Sequence, residues 1–162
     1  MRRLEATILG SAVLFGLAVL FGLAVLLGSA VPVDAHVHTT PASVKPGAKA
    51  TVTFFISHGC SGSPTTKVAI KFPSSISTVS AVAPTGFTGS ISGSVATFVG
   101  ALPSAKKAGF GLTLVAPLKE GLLEFPTVQT CRKGSISWIQ PTPPSGAEPT
   151  YPSPSVRVTS NP

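Results

Sequence analysis

Few side chains in this sequence are able to do chemistry, and the histidines are the most suggestive of them. His36 and His38 bracket Val37, and His58 stands two residues before Cys60. Were His36 a free N-terminus, its amine and its imidazole Nδ1 would close one chelate ring, and both are borderline nitrogen donors that suit Cu(II). His36-Val37-His38 offers a second mode. There the terminal amine, the deprotonated amides of Val37 and His38, and the His38 imidazole supply four nitrogens in a plane, a set that favours Cu(II) or Ni(II). The stretch from His36 onward has no Met, and its cysteines are expected to be oxidised, so it lacks the soft ligands that Cu(I) wants. The plainer alternatives are two polar histidines in a frayed first strand and, for His58, a loop histidine hydrogen-bonded beside a disulfide.

Other chemistries find little support. From His36 to Pro162 there is no Asp, and the only acids are Glu120, Glu124 and Glu148. A paired-carboxylate hydrolase needs two acids on facing walls, and none of these three has a context that supplies one. Glu124 falls in an apolar strand and is expected to point to solvent. There is no G-x-S-x-G elbow, no phosphate-cradling glycine loop and no dinucleotide fingerprint. The chain is therefore expected not to be an enzyme.

A free His36 requires processing, and the N-terminus carries the pattern for it. Met1-Arg2-Arg3 precedes an uncharged apolar run from Ile8 to Leu27, and Val33-Asp34-Ala35 has the small-x-Ala form of a signal-peptidase site. The run is as long as a membrane span. It also repeats a hexapeptide, Phe15 to Leu20 and again Phe21 to Leu26, as a slipped duplication of an ordinary signal would. The expectation is a signal peptide over 1–35, with an uncleaved anchor through 8–27 as the alternative. The protein would then be secreted or held on the extracytoplasmic face of a membrane. Cleavage after Ala35 leaves ten basic and three acidic residues and a net charge of +7. The lysines and arginines are scattered rather than clustered with aromatics, which excludes a typical nucleic-acid reader and leaves a soluble basic surface.

Cys60 and Cys131 are the two cysteines. In an exported domain they are expected to form a disulfide, and closing so long a loop restricts the unfolded chain by roughly 4 kcal/mol. A thiolate metal pair or a redox couple would want the C-x-x-C spacing that is missing here.

The elements that must position these residues read as β throughout. Val52, Phe54 and Ile56 alternate with Thr51, Thr53 and Phe55, and Val68, Ile70 and Phe72 alternate with Lys67, Ala69 and Lys71. Further strands are expected at 77–82, 95–99, 109–115, 122–125, 135–139 and 155–159, punctuated by Gly and Pro turns. This spacing predicts an all-β, two-sheet sandwich of immunoglobulin-like or cupredoxin-like outline over 36–140. From Pro141 to Pro154 six of fourteen residues are proline, so the 141–162 segment is expected to run extended and to return as a last edge strand at Val156 and Val158.

Several blocks of the sequence resemble the YcnI-like copper-binding domain family. They are Ala35-His36-Val37 behind a signal, the run from His58-Gly59-Cys60 to Lys67-Val68, the run from Phe125-Pro126-Thr127 to Thr130-Cys131, and Gly134 with Trp138-Ile139. Gly86-Phe87 sits where the family has Gly-Trp, and Phe110-Gly111 matches a Phe-Gly pair of a central strand. The resemblance spans essentially all of the chain after residue 35. It implies a β-sandwich that holds Cu(II) in a monohistidine brace: the processed terminal histidine gives amine and imidazole, a glutamate just before the Phe-Gly pair completes the shell, and a tryptophan lies near. By that correspondence His36 is the brace histidine and Trp138 the nearby tryptophan. The glutamate has no counterpart, because Lys107-Ala108-Gly109 precede Phe110. Either His38 supplies the missing donor, or tight copper binding has been lost and the fold kept. The leading expectation is a Cu(II) storage, buffering or transfer domain that meets other extracytoplasmic copper proteins. A metal-free scaffold or adhesion domain is the second. A copper oxidase acting on polysaccharide is the third, disfavoured by a single Trp and a single Tyr.

Overall fold

A computed structural model describes residues 36–162, except for the side chains of Thr78 and Val79. The expected signal peptide, its apolar run and the cleavage point after Ala35 lie outside the described residues. Twelve strands follow in chain order: β1 (His38–Thr40), β2 (Ser43–Val44), β3 (Lys49–Ile56), β4 (Thr65–Lys71), β5 (Ser77–Val82), β6 (Phe87–Ser92), β7 (Val95–Leu102), β8 (Ala108–Val115), β9 (Gly121–Glu124), β10 (Thr127–Cys131), β11 (Ser135–Trp138) and β12 (Ser155–Val158).

Alternation decides which way each strand faces. In β3 the inward residues Val52, Phe54 and Ile56 are buried, while Thr51 on the outer face shares a 3.0 Å hydroxyl contact with Thr113 of β8. In β4 Val68 and Ile70 are buried, and Lys67 and Lys71 face water. One sheet runs β1-β3-β8-β5 and the other β11-β10-β4-β7-β6. Their inner faces meet through aromatic rings. Phe98 of β7 lies 5.3 Å from Phe110 of β8 between centroids, and Phe54 lies 5.1 Å from Phe125. Side chains this large, fully removed from water, each stabilise the fold by about 1.5–3 kcal/mol. The architecture is the expected all-β immunoglobulin-like sandwich, and Cys60 and Cys131 are joined as a disulfide with Cα atoms 6.0 Å apart. Among the described residues no helix is long and apolar enough to cross a membrane.

The C-terminal part departs from the sequence reading in two ways. Strand β12 is not an edge: it lies between β2, which it pairs in parallel, and β9, which it pairs antiparallel. Val156 and Val158 are each 1% exposed, so the core needs this strand with cover on both sides. Nor does the Pro-rich stretch run extended. It turns back as a closed loop whose neck is clasped by Gln140. The Gln140 backbone N–H donates to the Tyr151 carbonyl at 3.1 Å, its carbonyl accepts from Ser153 N at 2.7 Å, and its side-chain Oε1 accepts from Tyr151 N at 2.5 Å. Five backbone N–H groups lost to proline between 141 and 152 leave little ladder to build, and a single side chain with donor and acceptor closes the ends instead.

Candidate metal centre

The loop that Gln140 closes carries two residues onto the start of the domain. Tyr151 packs its ring edge-on to Trp138 at 5.6 Å, and Glu148 brings Oε1 to 3.4 Å from His36 Nδ1. His36 in turn meets Trp138 edge-on, with ring centroids 6.0 Å apart. His36, Trp138, Glu148 and Tyr151 therefore gather at the mouth of the sandwich from three parts of the chain: the residues before β1, the end of β11 and the Pro-rich loop. The His36 side chain is 31% exposed and that of Glu148 67%, so both can be reached by an ion from solvent. As an exposed polar contact the two contribute at most about 1 kcal/mol to stability.

Trp138 is only 2% exposed, which answers the two readings of it together. Its ring is core packing and it also forms the floor beneath His36. On its inner side the indole Nε1–H donates to Gln129 Oε1 at 3.3 Å. Gln129, completely buried on β10, donates its two amide hydrogens to the His58 carbonyl at 2.7 Å and to Thr65 Oγ1 at 2.8 Å. Thr65 Oγ1 lies 3.8 Å from Cys131 Sγ, so this polar chain runs from the tryptophan to the disulfide. Every polar atom of the glutamine amide is used, as a buried amide requires. Sequence reasoning assigned Gln129 no role. The signal was present: Thr127, Gln129 and Cys131 are the buried phase of β10, with Val128 and Thr130 between them, which inverts the usual apolar-in pattern.

His38 does not join His36. Its ring stacks on Phe55 at 5.6 Å, and Lys107 Nζ sits 4.5 Å from the same ring centre. In the strand register His38 pairs with Phe55, and Phe55 pairs with Gly109. A Cβ at Gly109 would stand 2.6 Å from Thr53 Cγ2 and 3.0 Å from Phe55 Cε1. The position directly before Phe110 is therefore crowded by its neighbours, and a glutamate there would have to displace the Thr53 methyl and press on Phe55. His38 does share with Glu148 a shallow cleft of about 280 Å³, lined also by Thr142 and Ser153. Ser153 is 3% exposed, and its hydroxyl has no hydrogen-bond partner among the described residues. His58 places Nδ1 2.8 Å from the Gly59 carbonyl, beside the disulfide.

Among the described residues no three His, Cys, Asp or Glu side chains gather as a conventional metal cluster. A brace asks for less, because one residue gives two donors. It would use the amine and Nδ1 of His36 and leave Val37 where it is, buried in the core. The planar His36-Val37-His38 mode would instead turn the Val37 and His38 amides toward the ion, drawing Val37 out of the core and His38 away from β3. The fold thus accommodates the brace far better than the planar chelate. Glu124, expected to face solvent, accepts from Thr142 N at 2.6 Å and so pins the start of the Pro-rich loop.

Fold and site define a class: a disulfide-bonded, immunoglobulin-like β domain of extracellular type with a histidine–tryptophan mouth. The chain belongs to the family described as domain of unknown function DUF1775, whose model matches residues 36–97 and 92–158. It is similar to a crystal structure of an uncharacterized protein from Nocardia farcinica described as having an immunoglobulin-like fold. The identity is 22%, with 78% of this chain and 100% of that one covered and a TM-score of 0.65. It is also similar to a type III cohesin module from the cell-surface anchoring scaffoldin ScaE of Ruminococcus flavefaciens, at 12% identity over 80% of this chain and 89% of that one, with a TM-score of 0.50. No curated protein matches the chain.

Proposed function

We propose that this domain, once cut before His36 and carried out of the cytoplasm, binds one Cu(II) through the amine and Nδ1 of His36. The ion is cargo to be stored, buffered or handed to another extracytoplasmic copper protein, and no catalytic step is assigned to it. The observation that carries this reading is the lodging of His36 against the buried Trp138, which fixes the imidazole while leaving it 31% open to solvent. A pre-positioned ring lowers the ordering entropy that a floppy terminal chelate would lose on binding. YcnI-like domains fall within the same family, which adds support. A second reading, a metal-free scaffold or adhesion domain, draws on the filled space over Gly109 and on the absence of a three-side-chain cluster among the described residues.

The test is a Cu(II) titration of the chain beginning at His36, followed by the fluorescence of Trp138, the only tryptophan. The control is the same chain with one extra residue ahead of His36. Saturable one-to-one quenching is expected, with the extension weakening binding by roughly a hundredfold, about 2.7 kcal/mol for the lost amine donor. Equal and weak binding by both chains would sink the copper reading and leave the scaffold.

A further inference from the structure

Position 109, where the resemblance places a glutamate, holds a glycine crowded by Thr53 and Phe55, and the Pro-rich loop brings a carboxylate to His36 instead. We propose that Glu148 is the third ligand of the metal site, delivered by the loop between Gln140 and Tyr151. This rests on the His36 copper reading.

Three observations converge on Glu148. First, its Oε1 faces Nδ1 of His36 at 3.4 Å, and Nδ1 is the imidazole nitrogen through which an N-terminal histidine closes its chelate ring. Nitrogen and oxygen ligands sit about 2.0–2.2 Å from a first-row ion such as zinc, so donors sharing one ion stand within about 4 Å of each other. The observed gap meets that condition before any side chain moves.

Second, the other two acids of the domain are already committed. Glu124 accepts from Thr142 N at 2.6 Å, and Glu120 accepts from Ser160 N at 2.7 Å and Ser160 Oγ at 2.5 Å. Glu148 instead approaches the His36 nitrogen. A carboxylate is a hard donor that adds to two nitrogens without disturbing a Cu(II) preference, and its negative charge offsets the lysine-rich flank that Lys106 and Lys107 create at the head of β8.

Third, the loop is built to hold its position. Gln140 clasps its neck through three hydrogen bonds, Glu124 pins its first residues at Thr142, and Tyr151 docks on the same Trp138 that floors His36. Prolines at 141, 143, 144, 149 and 152 narrow the conformations the free loop can visit, so less order is lost when it engages an ion. Glu148 thus arrives on a stiffened arm rather than on a random tail.

Three processed chains beginning at His36 distinguish the possibilities: the parent, Glu148→Gln and Glu120→Gln, each titrated with Cu(II) alone in the presence of a competing chelator. Electron paramagnetic resonance of the one-to-one complexes reports the donor set. Glu120→Gln removes the same charge at a site that touches Ser160, and it controls for bulk electrostatics. The expected result is that Glu148→Gln weakens Cu(II) binding by roughly tenfold or more and changes the copper hyperfine pattern, with an unchanged melting temperature. Glu120→Gln should stay within about twofold of the parent, since exposed charges far from the site are screened. If Glu148→Gln binds like the parent while an extra residue before His36 abolishes binding, the brace stands and the Glu148 assignment is overturned. If both glutamine variants weaken binding equally, the effect is net charge, and the assignment is again overturned. If the parent itself fails to bind, both readings fall together.

Discussion

The two sides of the Trp138 indole are built on opposite plans. On the inner side Gln129, Thr65 and the Cys60–Cys131 disulfide form a buried polar chain in which the glutamine amide has every hydrogen bond it can use. On the outer side His36, Glu148 and Tyr151 are partly exposed and drawn from distant parts of the sequence. Polar groups in low dielectric are costly unless fully paired, so the inner side has one arrangement and serves as a fixed floor. The outer side keeps its polar atoms in reach of water, where hydrogen-bond partners exchange at small cost. A single tryptophan separates what must not move from what must remain available.

The sharpest way to break that comparison is Gln129→Leu. The volume is nearly kept, but the His58 carbonyl and the Trp138 N–H lose their partner, at about 1–3 kcal/mol each. The expected loss is about 3 kcal/mol of stability, seen as a melting temperature lower by roughly 10 °C. Copper affinity of the processed chain should hold within about threefold, because no donor is touched. An affinity that collapsed with the stability would show that the two sides are not separable.

A smaller effect is expected from Trp138→Phe, which keeps an aromatic floor and removes the donor to Gln129 Oε1. Stability should fall by about 2 kcal/mol, from one unpaired buried acceptor and a smaller ring. Binding, followed by paramagnetic resonance in the absence of a fluorophore, should change only a few-fold. A loss matching that of the N-terminal extension would instead make the indole part of what holds the ion.

Glu120 belongs to neither side and gives the smallest expected change. Its carboxyl is held below the usual value of 4.5 by hydrogen bonds from the Ser160 hydroxyl and then the Ser160 backbone N–H. A depressed folded value means that this contribution is present at neutral pH and is lost as pH falls through the folded value. The Ser160 amide resonance should therefore titrate with a midpoint below 4.5, and Glu120→Gln should remove that titration. A midpoint at or above the ordinary value would show that the tie to the C-terminal residues does not form in solution.

How much of this was legible varied with element length and phase. The strands β3, β4 and β8 could be read directly, because six or more alternating residues leave only one face for the core. Ser77–Val82 and Ser155–Val158 were placed to within a residue. His38–Thr40 was raised only as a frayed first strand and Ser43–Val44 was missed, since two or three residues cannot display a period, and Phe87–Ser92 was missed because most of it is exposed. Thr127–Cys131 was hidden by phase: its buried residues are the polar ones that serve Trp138 and the disulfide. In the candidate site, the expected processing point singled out His36, and the resemblance to the YcnI-like family singled out Trp138 beside it. Glu148 looked like one more charge in a proline spacer, 112 residues from His36, and it became a candidate only once Gln140 was seen to fold the spacer back.

By itself the sequence determined the β class and the pairing of the two cysteines and nominated one histidine as a candidate ligand, because each follows from local period, composition or the donor atoms of one residue. Tertiary structure alone decided which acid meets that histidine and which cannot. Space over Gly109 is set by Thr53 and Phe55 across two strand pairings, and the approach of Glu148 is set by a clasp at the neck of a loop. Neither is a property of a residue or its neighbours in the chain. Both depend on which atoms already occupy the volume around the site, and only the folded chain fixes that.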